Sequence, residues 1–148
     1  MIAPALKPTL RYLIFLGGLL VPGLLLGQQP LSWAQLADVR FERPAEEKDP
    51  LYGVPIFGEK VQALDGQEVR ITGYMLPLTV DNQRYILSRY PYRNCFFCGG
   101  AGKETVLELA LEEPREFDID SRTTVRGTLR LIYDPLQPAY RLEAAIPE

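Results

Sequence analysis

The chain has 148 residues, enough for one domain with a core of its own. Its 16 basic and 19 acidic side chains leave a net charge of −3, which argues against nucleic acid as a main partner. The sequence holds no histidine, so Ser-His-Asp and Cys-His catalysis and imidazole metal ligands are excluded.

At the N-terminus, Lys7 and Arg11 introduce an apolar run from Tyr12 to Leu26. Only Gly17, Gly18, Pro22 and Gly23 interrupt it. The run is about 15 residues, short of the ~20 that a membrane-spanning helix needs. It has the form of a secretory signal over residues 1–27, with cleavage after Gly27. A second cleavage point lies at Ser32-Trp33-Ala34, and an uncleaved membrane anchor is the alternative. No cysteine lies near either cleavage point to carry a lipid. Removing Lys7 and Arg11 leaves 14 basic against 19 acidic side chains, a balance of −5. The expectation is a periplasmic or secreted protein that is not inserted in the membrane once the signal is cleaved.

Residues 28–58 read as an N-terminal arm. Trp33, Leu36, Val39 and Phe41 are its apolar anchors, and Ser32 is placed to cap a short helical turn from Trp33 to Asp38. Arg43 to Pro50 is polar and bounded by prolines, a solvated loop. Val54-Pro55-Ile56-Phe57 returns to apolar character along the edge of the fold.

From Glu59 the period turns to two, and residues 59–148 read as the barrel domain. After the Asp65-Gly66 turn, Val69, Ile71, Gly73 and Met75 share one face of a strand that Pro77 stops. Asp81-Asn82 is the next turn, and Arg84 to Arg89 the second strand. Thr105 to Leu111 is the third, with Leu107, Leu109 and Leu111 inward and Glu108 outward. Val125, Gly127, Leu129, Leu131 and Tyr133 line the fourth, and Tyr140, Leu142, Ala144 and Ile146 the fifth. Residues 134–138 join these two as a hairpin. Five strands with almost no helical period predict an all-β fold. Gly73 and Gly127 sit where a small barrel must coil sharply. The reading is a small five-stranded OB-like barrel with an N-terminal arm, against an open β-sandwich.

Cys95-Phe96-Phe97-Cys98, followed by Gly99-Gly100-Ala101-Gly102, holds the only two cysteines of the chain. Any thiol, disulfide or soft-metal chemistry passes through this loop. Two thiolates at this spacing form half of a tetrahedral zinc site or a two-coordinate Cu(I) site. Closing a zinc site takes Asp, Glu or a second copy of the chain, with Glu104 and Asp81 near in sequence. Gly99 stands where c-type haem attachment requires histidine. In an oxidising compartment the same pair can close as a structural disulfide. Thiol–disulfide exchange is the third reading; Arg93, Lys103 and a nest of Gly99–Gly102 amides would lower a thiol pKa. A thioredoxin-type site, however, leads into an amphipathic helix, and here the chain runs into a strand.

Other groups carry a functional and a structural reading. Tyr85, Tyr90, Tyr92, Phe96 and Phe97 form either a recognition platform or core and loop packing. Arg122, Arg126 and Arg130 form either an anion stripe or a face paired with Glu143 and Glu108. Met75 reads as core packing before it reads as a copper thioether.

Trp33-Ala34-Gln35-Leu36, the run from Gly66 to Leu78, and Cys95 to Gly102 together resemble the bacterial envelope family known as domain of unknown function 3299. The resemblance covers roughly residues 33–146. It implies an exported protein with an OB-like barrel and no established activity. Some relatives carry a Cys-x-His pattern and prolines at this loop, where this chain has Cys98 and glycines. A Cys-to-His exchange suits metal ligands and not a disulfide, so the resemblance raises metal handling. The resulting expectation is a binding or accessory module, acting on a metal ion or an envelope protein. The competing class is a redox protein using Cys95 and Cys98.

Overall fold

The computed structural model describes residues 28–77 and 84–148. The expected signal peptide and the Asp81-Asn82 turn lie outside the described residues.

β1 (Gln29–Pro30) leads into α1 (Trp33–Leu36). Ser32 caps this helix as expected, through a reciprocal box with Gln35: Gln35 N donates to Ser32 Oγ at 3.4 Å, and Ser32 N donates to Gln35 Oε1 at 2.8 Å. β2 (Val39–Glu42) and β3 (Val54–Phe57) then form an antiparallel hairpin around the 43–53 loop, which is mostly exposed and buried at Gly53. α2 (Glu59–Gln62) follows, where period two was expected to begin. Asp38 explains it. Its carboxylate accepts the Lys60 amide at 3.1 Å, satisfying a donor that the helix itself leaves open.

The barrel strands are β4 (Glu68–Pro77), β5 (Tyr85–Ser88), β6 (Val106–Leu111), β7 (Arg122–Leu131) and β8 (Tyr140–Pro147). Their order is β4-β5-β6-β8-β7, and β7 pairs back onto β4 to close the ring. All barrel pairs are antiparallel except β6 with β8. This is a closed, five-stranded OB-like barrel, as the alternation predicted. Val69, Ile71, Met75, Leu107, Leu129 and Leu142 are among the buried side chains that fill it.

Leu31, Leu36 and Phe57 of the arm belong to the same buried cluster. Trp33 Nε1 donates to the Thr72 carbonyl at 2.8 Å, and Tyr140 Oη donates to the Leu36 carbonyl at 2.6 Å. Burial raises the pKa of that phenol well above its ordinary value, so it stays a donor at any working pH.

Gly73 and Gly127 mark close backbone approaches. A Cβ at Gly73 would stand 2.6 Å from the Ser88 carbonyl oxygen, and one at Gly127 would stand 2.6 Å from that of Glu143. Opposite Gly127 the β7–β8 register shifts, and Ala144 adopts φ 47°. This bulge breaks the expected alternation of the fifth strand: Ala145 rather than Ala144 is buried. Tyr133, expected on the fourth strand, lies beyond its end and packs edge-on against Phe57, ring centres 5.0 Å apart.

Glu108 also departs from expectation. It lies on the face opposite Leu107 and Leu109 but is buried. Arg84 Nε donates to its Oε1 at 2.7 Å, and Arg141 Nη2 to its Oε2 at 2.9 Å. On the β7 stripe Arg130 pairs with Glu143 at 2.9 Å as expected, while Arg126 pairs with Glu148 at 3.9 Å rather than with Glu108.

Candidate functional site

The loop joining β5 to β6 runs over residues 89–105. Its base is closed by Arg89 N donating to the Thr105 carbonyl at 2.9 Å. Three single 3-10 turns fill it: Tyr92–Asn94, Phe96–Cys98 and Lys103–Thr105. None is long enough to present a helix dipole.

Cys95 is extended (φ −79°, ψ 172°) and opens the turn that carries Cys98. Cys98 N donates to the Cys95 carbonyl at 3.2 Å, and Gly100 N to the same oxygen at 3.2 Å. Gly99 N donates to the Phe96 carbonyl at 2.9 Å. Gly99 has φ 75°, a left-handed conformation that reverses the chain directly after Cys98. The turn thus folds back on itself and brings the two cysteines close together.

The two thiols differ in setting. Both are unbonded; Cys95 is buried and Cys98 exposed. Cys95 joins Leu76, Ile86 and Val106 in a second small core, with Phe96 packed against it. The loop therefore folds back over the outer face of β4, β5 and β6. The Cys98 pKa is raised above its ordinary value of 9.0. Desolvation contributes most, followed by the charge of Cys95 and its hydrogen bond; a hydrogen bond from the Tyr92 side chain opposes them.

The surrounding groups hold the loop rather than activate a thiol. Lys103 Nζ donates to the Leu51 carbonyl at 2.6 Å and the Pro135 carbonyl at 3.0 Å. It also lies 5.4 Å from the ring centre of Phe41. Its pKa is lowered, first by burial and then by Arg43. The Gly99 and Gly100 amides, expected as an anion nest, are spent on the carbonyls of Phe96 and Cys95. On the other side, Tyr92 N donates to Asp120 Oδ1 at 2.7 Å, tying the loop to the β6–β7 connection. Sequence reasoning missed this Asp120 contact and the Lys103 clamp, because each joins segments distant along the chain.

The other expected site residues separate from the pair. Among the described residues, no three of Cys, Asp and Glu gather as a metal-ligating group, so Glu104 does not complete a three-ligand set. Asp81 lies outside the described residues. Met75 is fully buried in the barrel interior, as core packing requires. Of the aromatics, Tyr85 is core, while Tyr92 and Phe97 are exposed. A cleft of about 350 Å³ opens within the same loop, lined by Arg89, Tyr90, Asn94, Gly100 and Glu104 among others, and neither cysteine lines it.

The structure is similar to the crystal structure of a DUF3299 family protein from Pseudomonas aeruginosa. The TM-score is 0.56 at 18% identity, and the match covers 82% of this chain and 97% of that one. The chain has the fold of that protein. The resemblance seen at Trp33–Leu36, Gly66–Leu78 and Cys95–Gly102 is thereby supported across most of the described residues. No family model and no curated protein matches the chain. DUF3299 denotes unknown function, so the match carries architecture and no activity.

Proposed function

We propose that this chain is a non-enzymatic accessory module of the bacterial envelope that captures a soft metal ion, zinc or Cu(I), between Cys95 and Cys98. One observation carries the reading. The Cys95–Gly99 turn brings two thiols of C-x-x-C spacing together, one anchored in a small core and one open to solvent. Thiolate pairs at this spacing chelate zinc and other thiophilic ions. Desolvation, and after it the charge of Cys95, raises the Cys98 pKa and makes the pair hard to ionise without a cation. A bound cation removes that repulsion.

Thiol–disulfide exchange is the weaker reading. It needs a thiol with lowered pKa, and the shift at Cys98 has the opposite sign. The apolar segment at residues 12–26 supports export, and export would expose the pair to oxidation. A Cys95–Cys98 disulfide is then the oxidised, metal-incompetent form of the same site.

Intact mass decides between these states. Protein taken from its export compartment is weighed under native and then denaturing conditions, without reductant. Metal capture predicts two thiols and a metal that leaves on denaturation. A mass about two daltons light with no metal, from one disulfide, is the contrary result.

A further inference from the structure

The loop after β2 and the end of the thiol loop enclose a pocket that neither cysteine lines. It measures about 440 Å³, inside the range of roughly 300–1,000 Å³ usual for small-molecule sites. Phe41, Tyr52 and Phe96 give it aromatic walls, and Arg43 and Lys103 give it two cations. Gly53 keeps it open: a Cβ there would stand 3.3 Å from Phe41 Cβ and 3.5 Å from Lys103 Nζ.

One stretch of backbone holds the two cations. Arg43 Nη2 donates to the Pro50 carbonyl at 2.6 Å, and Arg43 Nε to the Tyr52 carbonyl at 3.2 Å. Lys103 Nζ donates to the Leu51 carbonyl between them at 2.6 Å, and to that of Pro135 at 3.0 Å. Arginine carries five N–H donors and lysine three, so both keep donors beyond these carbonyls. Among the described residues, neither cation forms an ion pair. The acids that act on Lys103 from further off are engaged in their own turns. Asp49 Oδ1 accepts Leu51 N at 2.8 Å, and Asp134 accepts Leu136 N at 2.9 Å and Gln137 Nε2 at 2.7 Å. Glu104 lines the adjoining cleft and not this pocket. Burial, and after it the charge of Arg43, lowers the Lys103 pKa, so the two cations oppose each other until an anion joins them.

We propose that this pocket binds a small organic carboxylate with an aromatic body, its carboxylate between Arg43 and Lys103 and its ring against Phe41, Tyr52 and Phe96. The guanidinium suits a planar carboxylate, and charge-assisted hydrogen bonds are the stronger kind. Aromatic walls add edge-on or offset ring contacts to the burial of the ligand's ring. The donors are already held by backbone carbonyls, which lowers the cost of ordering them on binding. Binding uses neither thiol, so this site stands or falls apart from metal capture.

The test is an NMR titration of the reduced, isotope-labelled full chain with phenylacetate. Acetate and benzyl alcohol serve as controls, each keeping one half of the ligand. The expected result is saturable amide shifts confined to residues 41–43, 50–53, 96 and 102–103, with either control binding about tenfold more weakly or worse. Arg43→Gln weakens phenylacetate about tenfold, the loss of one charge-assisted contact. Tyr52→Ser, which keeps the backbone carbonyl, also weakens it, and Cys98→Ser leaves it unchanged. Shifts that never saturate, or that spread over the barrel, overturn the proposal. Acetate or inorganic phosphate binding as tightly as phenylacetate overturns the aromatic body. Arg43→Gln and Lys103→Gln variants that give folded spectra and bind as the parent does overturn the cationic cradle.

Discussion

Lys103 reaches the carbonyl of Leu51, 52 residues earlier in the chain, with a 2.6 Å hydrogen bond. The same ammonium bonds Pro135, so one side chain joins the thiol loop, the β2–β3 loop and the β7–β8 hairpin. This junction sets the position of the groove lined by Leu51, Phe96, Phe97 and Leu136.

Lys103→Met keeps the stem and removes the donors. We expect a loss of about 1.5–3 kcal/mol in urea unfolding, the range for hydrogen bonds involving a charged group. Amide exchange should rise in residues 51–53 and 134–137 and stay unchanged in the β4–β7 ladder. Unaltered exchange in both loops would show that the clamp contributes nothing.

The two cysteines should separate in stability. Cys95→Ser places a hydroxyl among Leu76, Ile86 and Val106, at a cost of about 1–3 kcal/mol. Cys98→Ser lies at the surface and should fall within about 0.5 kcal/mol of the parent. Chemical denaturation of the two reduced variants measures this directly, and equal losses would contradict the burial difference.

Gly99→Ala probes the turn itself. No atom would lie within 4 Å of the added Cβ, so sterics with neighbours play no part. The left-handed φ of 75° alone costs an L-residue about 1–2 kcal/mol. Gly99→Asn should recover part of that loss, since Asn tolerates this conformation better. Metal affinity should follow the same order, with Gly above Asn above Ala.

The pH dependence of Cys98 follows from the direction of its shift. A thiol pKa raised above 9.0 leaves less thiolate at neutral pH than an ordinary cysteine has. Alkylation of the metal-free, reduced chain should therefore be slower than that of a free cysteine at neutral pH, and should go on rising past pH 9.0, where that of an ordinary cysteine levels off. Metal capture must displace the same proton, so apparent affinity should fall as pH falls. Alkylation faster than that of free cysteine would revive the exchange reading.

Much of the barrel was legible in sequence because the two long strands, β4 and β7, keep their alternation. Val69, Ile71, Gly73 and Met75 all face the interior as their spacing requires. The fifth strand was misread at Ala144, because alternation assumes unbroken pairing and the bulge opposite Gly127 inserts a residue. α2 spans only Glu59–Gln62, too short for a period to register, and its cap comes from distant Asp38. Glu108 read as exposed because its neutralising partners, Arg84 just before β5 and Arg141 on β8, are distant along the chain. The location of the thiol pair was plain from two cysteines in the whole chain. The burial of Cys95 was not, since it arises only when the loop folds back over Leu76, Ile86 and Val106.

Cobalt(II) titration of the reduced chain tests metal capture most directly. Thiolate coordination gives an intense sulfur-to-cobalt charge-transfer band that carboxylates and water do not. The expected result is that band in the parent protein, bleached by zinc and absent from Cys98→Ser, which stays folded. A parent protein without the band, or a Cys98→Ser variant that keeps it at full strength, would contradict a metal site built on Cys95 and Cys98.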